Sequence, residues 1–448
     1  MTRDDIQGRA GALAEIVKSR FLTPAGLLAR HFPPGDRTLF DNFDDLAPFF
    51  LYLGEEAFLV DQIARVARRG ETTASLLAHE GRIESRHLDE WVGGLYAVWR
   101  TTRAPVVKGV LDEALAFVRR HLLTGDGLLP AAVRLADGRR APYWEPWSAG
   151  LLEVCAEMRD DVPDLFDRAR DVLRGWVRHA YFAAHGLFPY RIFESPVRDA
   201  LQRRVFARRR SHNYEGEPPR YPPWSPGGWR RRAEWAVRNG WYSFLMKSNS
   251  TPAFTLLTFF EADGDRTWAG ALDAWIASAM SRFVEEGTVF QEWYPAGGVR
   301  RQPSEVSAFI LCDVLCDAAA VRPAAAARRP AVKRILDAQW AARNADGLIP
   351  YHARPPLAHL DSQVDWSVTM RRYAERSGEV VYRDRARELM TAALAAHDSP
   401  DGYRTYSGPG APGTIDPKYN ALALKGLINL MTLEQPLYPG LHGLFKDR

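Results

Sequence analysis

Apolar positions along the chain fall into helical stretches of two alternating kinds. One kind is short and apolar nearly all round, as in "TPAFTLLTFFEA", "SEVSAFILCDVLCDAAAV" and "NALALKGLINLMT". The other is longer and confines Arg, Asp and Glu to one face, as in "DLFDRARDVLRGWVRHAYFA" and "VVYRDRARELMTAALAAHD". A helix apolar on every side must be enclosed by other elements, whereas an amphipathic helix keeps a solvent face. The alternation therefore predicts an inner and an outer helical layer. Inner segments begin near residues 44, 89, 147, 250, 304, 362 and 417, which gives six or seven helical hairpins.

A short phrase recurs between the hairpins: "DGLLP" at Asp126, "HGLFPY" at His185, "EGTVFQEWYP" at Glu286, "DGLIPYH" at Asp346 and "DGYRTY" at Asp401. A unit repeated at fixed intervals marks stacked or ring architectures. Here the wide spacing and the long aromatic loops favour a ring closed on itself over an open solenoid. The predicted fold is all-α, an (α/α)6 or (α/α)7 toroid forming one domain over residues 1–448. The period lapses once, over residues 190–249, where Pro, Arg and aromatic residues crowd "NYEGEPPRYPPWSPGGW". A long insertion of this kind is usually functional or disordered; it is expected to fold over the ring as a lid, with an oligomer contact as the alternative.

In this hairpin grammar and loop style the chain resembles the six-hairpin glycosidase superfamily, which spans glycoside hydrolases, unsaturated uronyl hydrolases, sugar epimerases and polysaccharide lyases. The resemblance covers most of the chain. It implies carbohydrate chemistry in the funnel at one end of the ring, with an oligosaccharide, neutral or anionic, as substrate.

Residues just after each Gly turn are delivered to that funnel. They include Trp144, Glu145 and Trp147 of "YWEPW", Glu292, Trp293 and Tyr294 of "FQEWYP", Arg300 and Arg301, Tyr351 and His352, Asp361 and Asp365, and Arg404, Tyr406, Asp416 and Tyr419. Flat aromatics alternating with acids suit sugars, whose C–H faces stack on rings while carboxylates bond hydroxyls. Glycoside hydrolysis needs one carboxyl as acid and another as base or nucleophile. Glu292 and Glu145, each set among aromatics where desolvation favours the protonated form, are the first two candidates, with Asp361 and Asp416 next. The latter two also stand where a helix N-cap belongs. "DNFDD" at residues 41–45 reads as helix caps or sugar ligands. A uronate lyase or an epimerase is the alternative, with Tyr351, His352, His212, Tyr214, Tyr294 or Tyr406 taking a proton and Arg300, Arg301 or Arg404 neutralising charge. His359 is the possible second histidine of an epimerase. A non-catalytic glycan-binding toroid is the third reading.

Composition narrows these choices. With 46% hydrophobic and 25% charged residues the chain is neither disordered nor built to span a membrane. Its net charge of +4 is too small for a nucleic-acid-binding face. Cys155, Cys312 and Cys316 lie in apolar helical stretches and read as reduced core thiols, not as a zinc site. No metal or cofactor is expected. The start "MTRDDIQGRAGALAEIVKSR" has no apolar core of a secretory signal, so a cytoplasmic location is expected.

Overall fold

The computed structural model describes residues 2–200 and 244–438. Fourteen principal helices form two concentric rings among these residues. The outer ring comprises α1 (Arg3–Arg20), α3 (Glu56–Arg68), α5 (Pro105–His121), α7 (Pro163–Arg178), α9 (Arg266–Phe283), α11 (Arg329–Ala341) and α13 (Val381–His397). The inner ring comprises α2 (Ala47–Tyr52), α4 (Ser85–Thr102), α6 (Ala149–Glu157), α8 (Met246–Asp263), α10 (Glu305–Ala318), α12 (Leu360–Ser377) and α14 (Pro417–Met431). Each inner helix packs on the next, and α14 packs on α2, so the inner ring is closed. The result is an (α/α)7 toroid whose seventh hairpin joins the first outer helix, α1, to the last inner one, α14.

The core lies between the rings and is anchored by Trp91 and Trp366 on inner helices and Trp268 and Trp275 on α9, all fully buried. Outer helices keep the amphipathic pattern read from sequence. On α7, for example, Leu165, Ala169, Val172, Leu173 and Trp176 face inward. Helix starts and stops follow local chemistry. Pro105 and Pro163 open α5 and α7 at the position where a missing N–H is harmless. Gly264 and Gly378 close α8 and α12 in the left-handed conformation.

The repeated phrase has a physical explanation. Its glycine has positive φ at every occurrence, 75° at Gly127 and 77° at Gly347 for instance, a conformation costly to a residue with a Cβ. The turn ends the outer helix and sends the chain into a short extended segment at the rim. Rim segments then pair antiparallel with one another: Arg82–Glu84 with Ala132–Arg134, Tyr143–Trp144 with Ile192–Phe193, and Ala358–His359 with Tyr406–Ser407.

A buried amide on the following inner helix clamps the rim in three of these places. Asn249 accepts from Phe188 N (2.7 Å) and donates to its O (2.8 Å). Gln363 does the same for Ile349 (2.9 and 2.8 Å), and Asn420 for Tyr403 (2.7 and 3.0 Å). Each clamp satisfies a donor and an acceptor that burial would otherwise leave unpaired. Rim and inner helix are thereby locked in register, which fixes the side chains that follow.

Candidate functional site

All seven inner helices run in the same sense, so their N-terminal turns meet at one end of the ring. Charged residues occupy those turns in segments otherwise apolar: Asp44 and Asp45 before α2, Asp89 and Glu90 on α4, Lys247 on α8, Glu305 on α10, Asp361 and Asp365 on α12, and Lys418 and Lys425 on α14. Most are half-buried, which is what lining a water-filled funnel requires.

Two lysine–aspartate pairs organise the cluster. Lys418 Nζ lies 2.9 Å from Asp45 Oδ2, joining the last inner helix to the first. Lys425 Nζ lies 2.7 Å from Asp365 Oδ1, two helical turns deeper. Burial opposes the charge on Lys418, but Asp45, Glu90 and Asp361 outweigh it and raise the lysine above its usual range. Deeper still, Arg372 bridges Asp313 (3.0 Å) and Asp317 (3.4 Å).

Acids outnumber these cations, and their carboxyls respond. Burial, then the neighbouring charge of Asp365, pushes Asp361 up to about 7. Burial and Asp45 push Asp44 up to about 7 as well. Asp89 and Glu90 are raised well above the ordinary carboxyl range by burial and by Asp44. Asp89 packs on the next inner helix at Gly150: a Cβ built there would stand 1.8 Å from Asp89 Oδ2, so a larger residue would displace the carboxyl. Glu90 accepts a hydrogen bond from the Asn42 amide.

Beside this cluster is a cavity of about 340 Å³ lined by Arg30, Asn42, Arg86, His87, Asp89, Glu90, Trp147, Thr251 and Lys418. Trp147 supplies its aromatic wall, with the Arg86 guanidinium 5.5 Å and Lys247 Nζ 5.2 Å from the ring centre. A second aromatic group stands at the rim of α12 and α14. His359 stacks on Tyr351 (5.1 Å) and meets Tyr419 edge-on (4.6 Å), with Tyr406 at 4.9 Å. Burial, reinforced by His397, lowers His359 to about 4, so its imidazole is neutral at pH 7. Next to this group His352 Nδ1 lies 2.7 Å from Glu305 Oε2.

The structure brings some of the expected site residues together and disperses others. Asp361, Asp365, Trp147, Tyr351, His352, Tyr406 and Tyr419 share the funnel. Asp361 is not an N-cap: the cap of α12 is His359, and Asp361 lies in the first turn among Lys418, Asp45 and Lys425. Asp416 is a cap, accepting from Lys418 N at 2.9 Å.

Glu145 is engaged by Arg191 (2.7 Å), whose guanidinium also stacks on Tyr143. Glu292 is buried in the strand Thr288–Tyr294 and accepts from Tyr294 Oη at 2.6 Å. Burial raises its carboxyl, and among the described residues the one charge acting on it is that of Arg301. Neither glutamate belongs to the axial cluster. Trp144 stacks on Trp176 (4.2 Å) inside the core, and Trp293 packs on Phe244 (5.2 Å). Arg300 is spent on the carbonyls of Ser281 and Arg282 (2.9 Å each), and Arg404 on that of Ala396 (3.2 Å). His212, Tyr214 and most of the 190–249 insertion lie outside the described residues.

The funnel residues that the sequence reading passed over are Asp89, Glu90, Lys247, Glu305, Lys418 and Lys425. A signal existed for Asp89, Glu90, Glu305 and Lys425: each is a charge in an inner segment that is otherwise apolar, where solvation alone cannot account for it. The three cysteines are free and buried, and no group of metal-ligating side chains occurs among the described residues. Among those residues no helix is long and apolar enough to cross a membrane.

No family model and no curated relative matches the sequence. Solved structures do share the fold. An alpha-1,2-mannosidase from Trichoderma reesei superimposes with a TM-score of 0.65 at 12% identity, over 99% of this chain and 95% of that one. A D-mannose isomerase gives 0.57 at 9% identity over 96% and 97%. The cellobiose 2-epimerase from Spirochaeta thermophila DSM 6192 gives 0.55 at 10% identity over 78% and 86%. The fold is thus a helical toroid that these proteins share, as expected from the sequence.

Proposed function

We propose that this chain is a carbohydrate-active enzyme that hydrolyses a glycosidic bond in its funnel, with Asp361 as general acid and Asp45 as general base. Fold neighbours that act on sugars support the broader part of this reading. One observation carries the finer part: two carboxyl groups share the funnel in opposed environments. Asp361, raised to about 7, keeps a proton to give to a leaving oxygen, while Asp45 faces the Lys418 ammonium at 2.9 Å. A carboxyl that keeps its proton beside one that faces an ammonium divides the roles of acid and base. Trp147 and the Tyr351–Tyr406–Tyr419 group offer the apolar faces on which pyranose rings stack.

The test is turnover of an oligosaccharide panel by single variants. Asp361→Asn and Asp45→Asn should lose reducing-end release while keeping the wild-type circular dichroism and melting profile. Full activity in both would end this assignment. Loss confined to Glu292→Gln or Glu145→Gln would return the chemistry to the pair first expected from sequence.

The His352–Glu305 contact supports a second reading. A carboxylate at 2.7 Å orients the imidazole, as proton abstraction next to a carbonyl requires. An epimerase or isomerase would exchange a substrate C–H proton with deuterated water without releasing reducing ends. A uronate lyase would instead release an unsaturated, ultraviolet-absorbing product.

A further inference from the structure

Subtracting the ion pairs around the cavity leaves one cation over. Arg30 pairs with Asp41 (3.0 Å), Arg86 with Glu84 (2.7 Å), Lys418 with Asp45 and Lys425 with Asp365. Lys247 differs: among the described residues its ammonium makes no ion pair or hydrogen bond, although Asp361 and Asp365 are near enough to be felt. It stays open to the water of the funnel while protein surrounds it, and this partial desolvation lowers its pKa. The amine is held 5.2 Å from the Trp147 ring centre. Thr251, one helical turn further along α8, lines the cavity beside Trp147, and the i, i+4 spacing sets the amine and this hydroxyl on one face of that helix. Asp89 and Glu90 stand on another wall, carried by α4. A neutral sugar has hydroxyls for the acidic wall but nothing for an unmatched ammonium.

Resting on the hydrolase reading above, we propose that the funnel selects a sugar carrying an anionic substituent (a carboxylate, sulfate or phosphate ester) that sits between Lys247 Nζ and the Thr251 hydroxyl over the Trp147 indole, while ring hydroxyls face Asp89 and Glu90. The anion supplies the partner that the chain withholds. A charge-assisted hydrogen bond in such a site is worth about tenfold or more in affinity.

The experiment is isothermal titration calorimetry of the whole chain and of Lys247→Met and Lys247→Arg. The probes are a glucuronate-terminated disaccharide, its glucose-terminated counterpart, and the 6-sulfated and 6-phosphorylated forms of the latter. The wild type should bind at least one anionic probe about tenfold more tightly than the neutral one. Lys247→Met should bring that ratio close to one, and Lys247→Arg should restore part of it. The anionic probe with the highest ratio identifies the substituent. Equal ratios in wild type and Lys247→Met, or a wild-type preference for the neutral probe, would overturn the proposal. If neutral sugars are hydrolysed in that case, the function stands and the selectivity falls. Binding and turnover of no sugar would remove both. Borohydride trapping of a covalent sugar adduct on Lys247 would also overturn the proposal, since it would make the amine a nucleophile.

Discussion

The outer ring and the axis of this toroid use the same acidic residues in opposite ways. On the outside nearly every acid between helices has an arginine of its own. Arg119 grips Asp164 through two 2.8 Å bonds from α5 to α7, Arg322 pairs with Asp273 on α9, and Arg343 reaches Glu388 at 2.6 Å. These bonds hold Asp164 below the usual carboxyl range, the hydrogen bond from Arg119 being the main cause. On the axis acids crowd one another, the cations are mostly lysines, and Asp44, Asp89, Glu90 and Asp361 are all pushed upward. Matched pairs hold neighbouring hairpins together. An unmatched surplus costs stability, and it stays where it serves a ligand or a reaction.

That contrast can be broken first at Asp361. Asp361→Asn should lower kcat by about 10²- to 10⁴-fold, the usual worth of a positioned general acid, measured by initial rates on a turned-over substrate. In the wild type the rate should fall as pH rises through about 7, where Asp361 loses its proton.

The next largest effect lies deeper on the axis, where Arg372 is paired with acids as the outer cations are. Arg372→Met removes the cation that bridges the buried Asp313 and Asp317, and denaturant unfolding should show a loss of about 3–5 kcal/mol. Adding Asp313→Asn and Asp317→Asn should recover part of that loss.

A smaller effect runs the other way. Asp361 and Asp44 hold protons up to about 7 when folded but only to about 3.8 when unfolded. The folded state binds more protons between those values, so stability falls as pH rises through that window and the full cost is present above it. Asp361→Asn should therefore be more stable than the wild type at pH 8, on the order of 1 kcal/mol, and equal to it at pH 3. Smallest of all, Arg119→Ala should cost under about 1 kcal/mol, and less in high salt, because the pair it breaks is exposed.

Much of this was legible in the sequence and some was not, for physical reasons. The helical layers came from apolar periodicity, and all seven inner segments stand where the pattern placed them. The repeated Gly turn was visible as well, because its positive φ restricts which residue can occupy it. The axial cluster was harder to see. It is assembled from helices that are far apart in sequence, and a distance across a ring leaves no mark on local pattern. Glu292 and Glu145 attracted notice through their aromatic neighbours, yet those neighbours pack the rim: Trp293 lies against Phe244, and Trp144 against Trp176. Lys425 in "NALALKGLINLMT" and Asp89 and Glu90 in "DEWVGGLYAVWR" gave the more telling sign, a charge where an enclosed helix should have none.

One feature of the ring reaches beyond its geometry. The first outer helix is clasped by the last inner one, and Lys418 meets Asp45 across that same seam. On the proposed assignment, the site is therefore a property of the finished circle. A nascent chain still lacking its last hairpin, or a ring sprung open at the seam, would keep most of its helices and most of its core while having no assembled site.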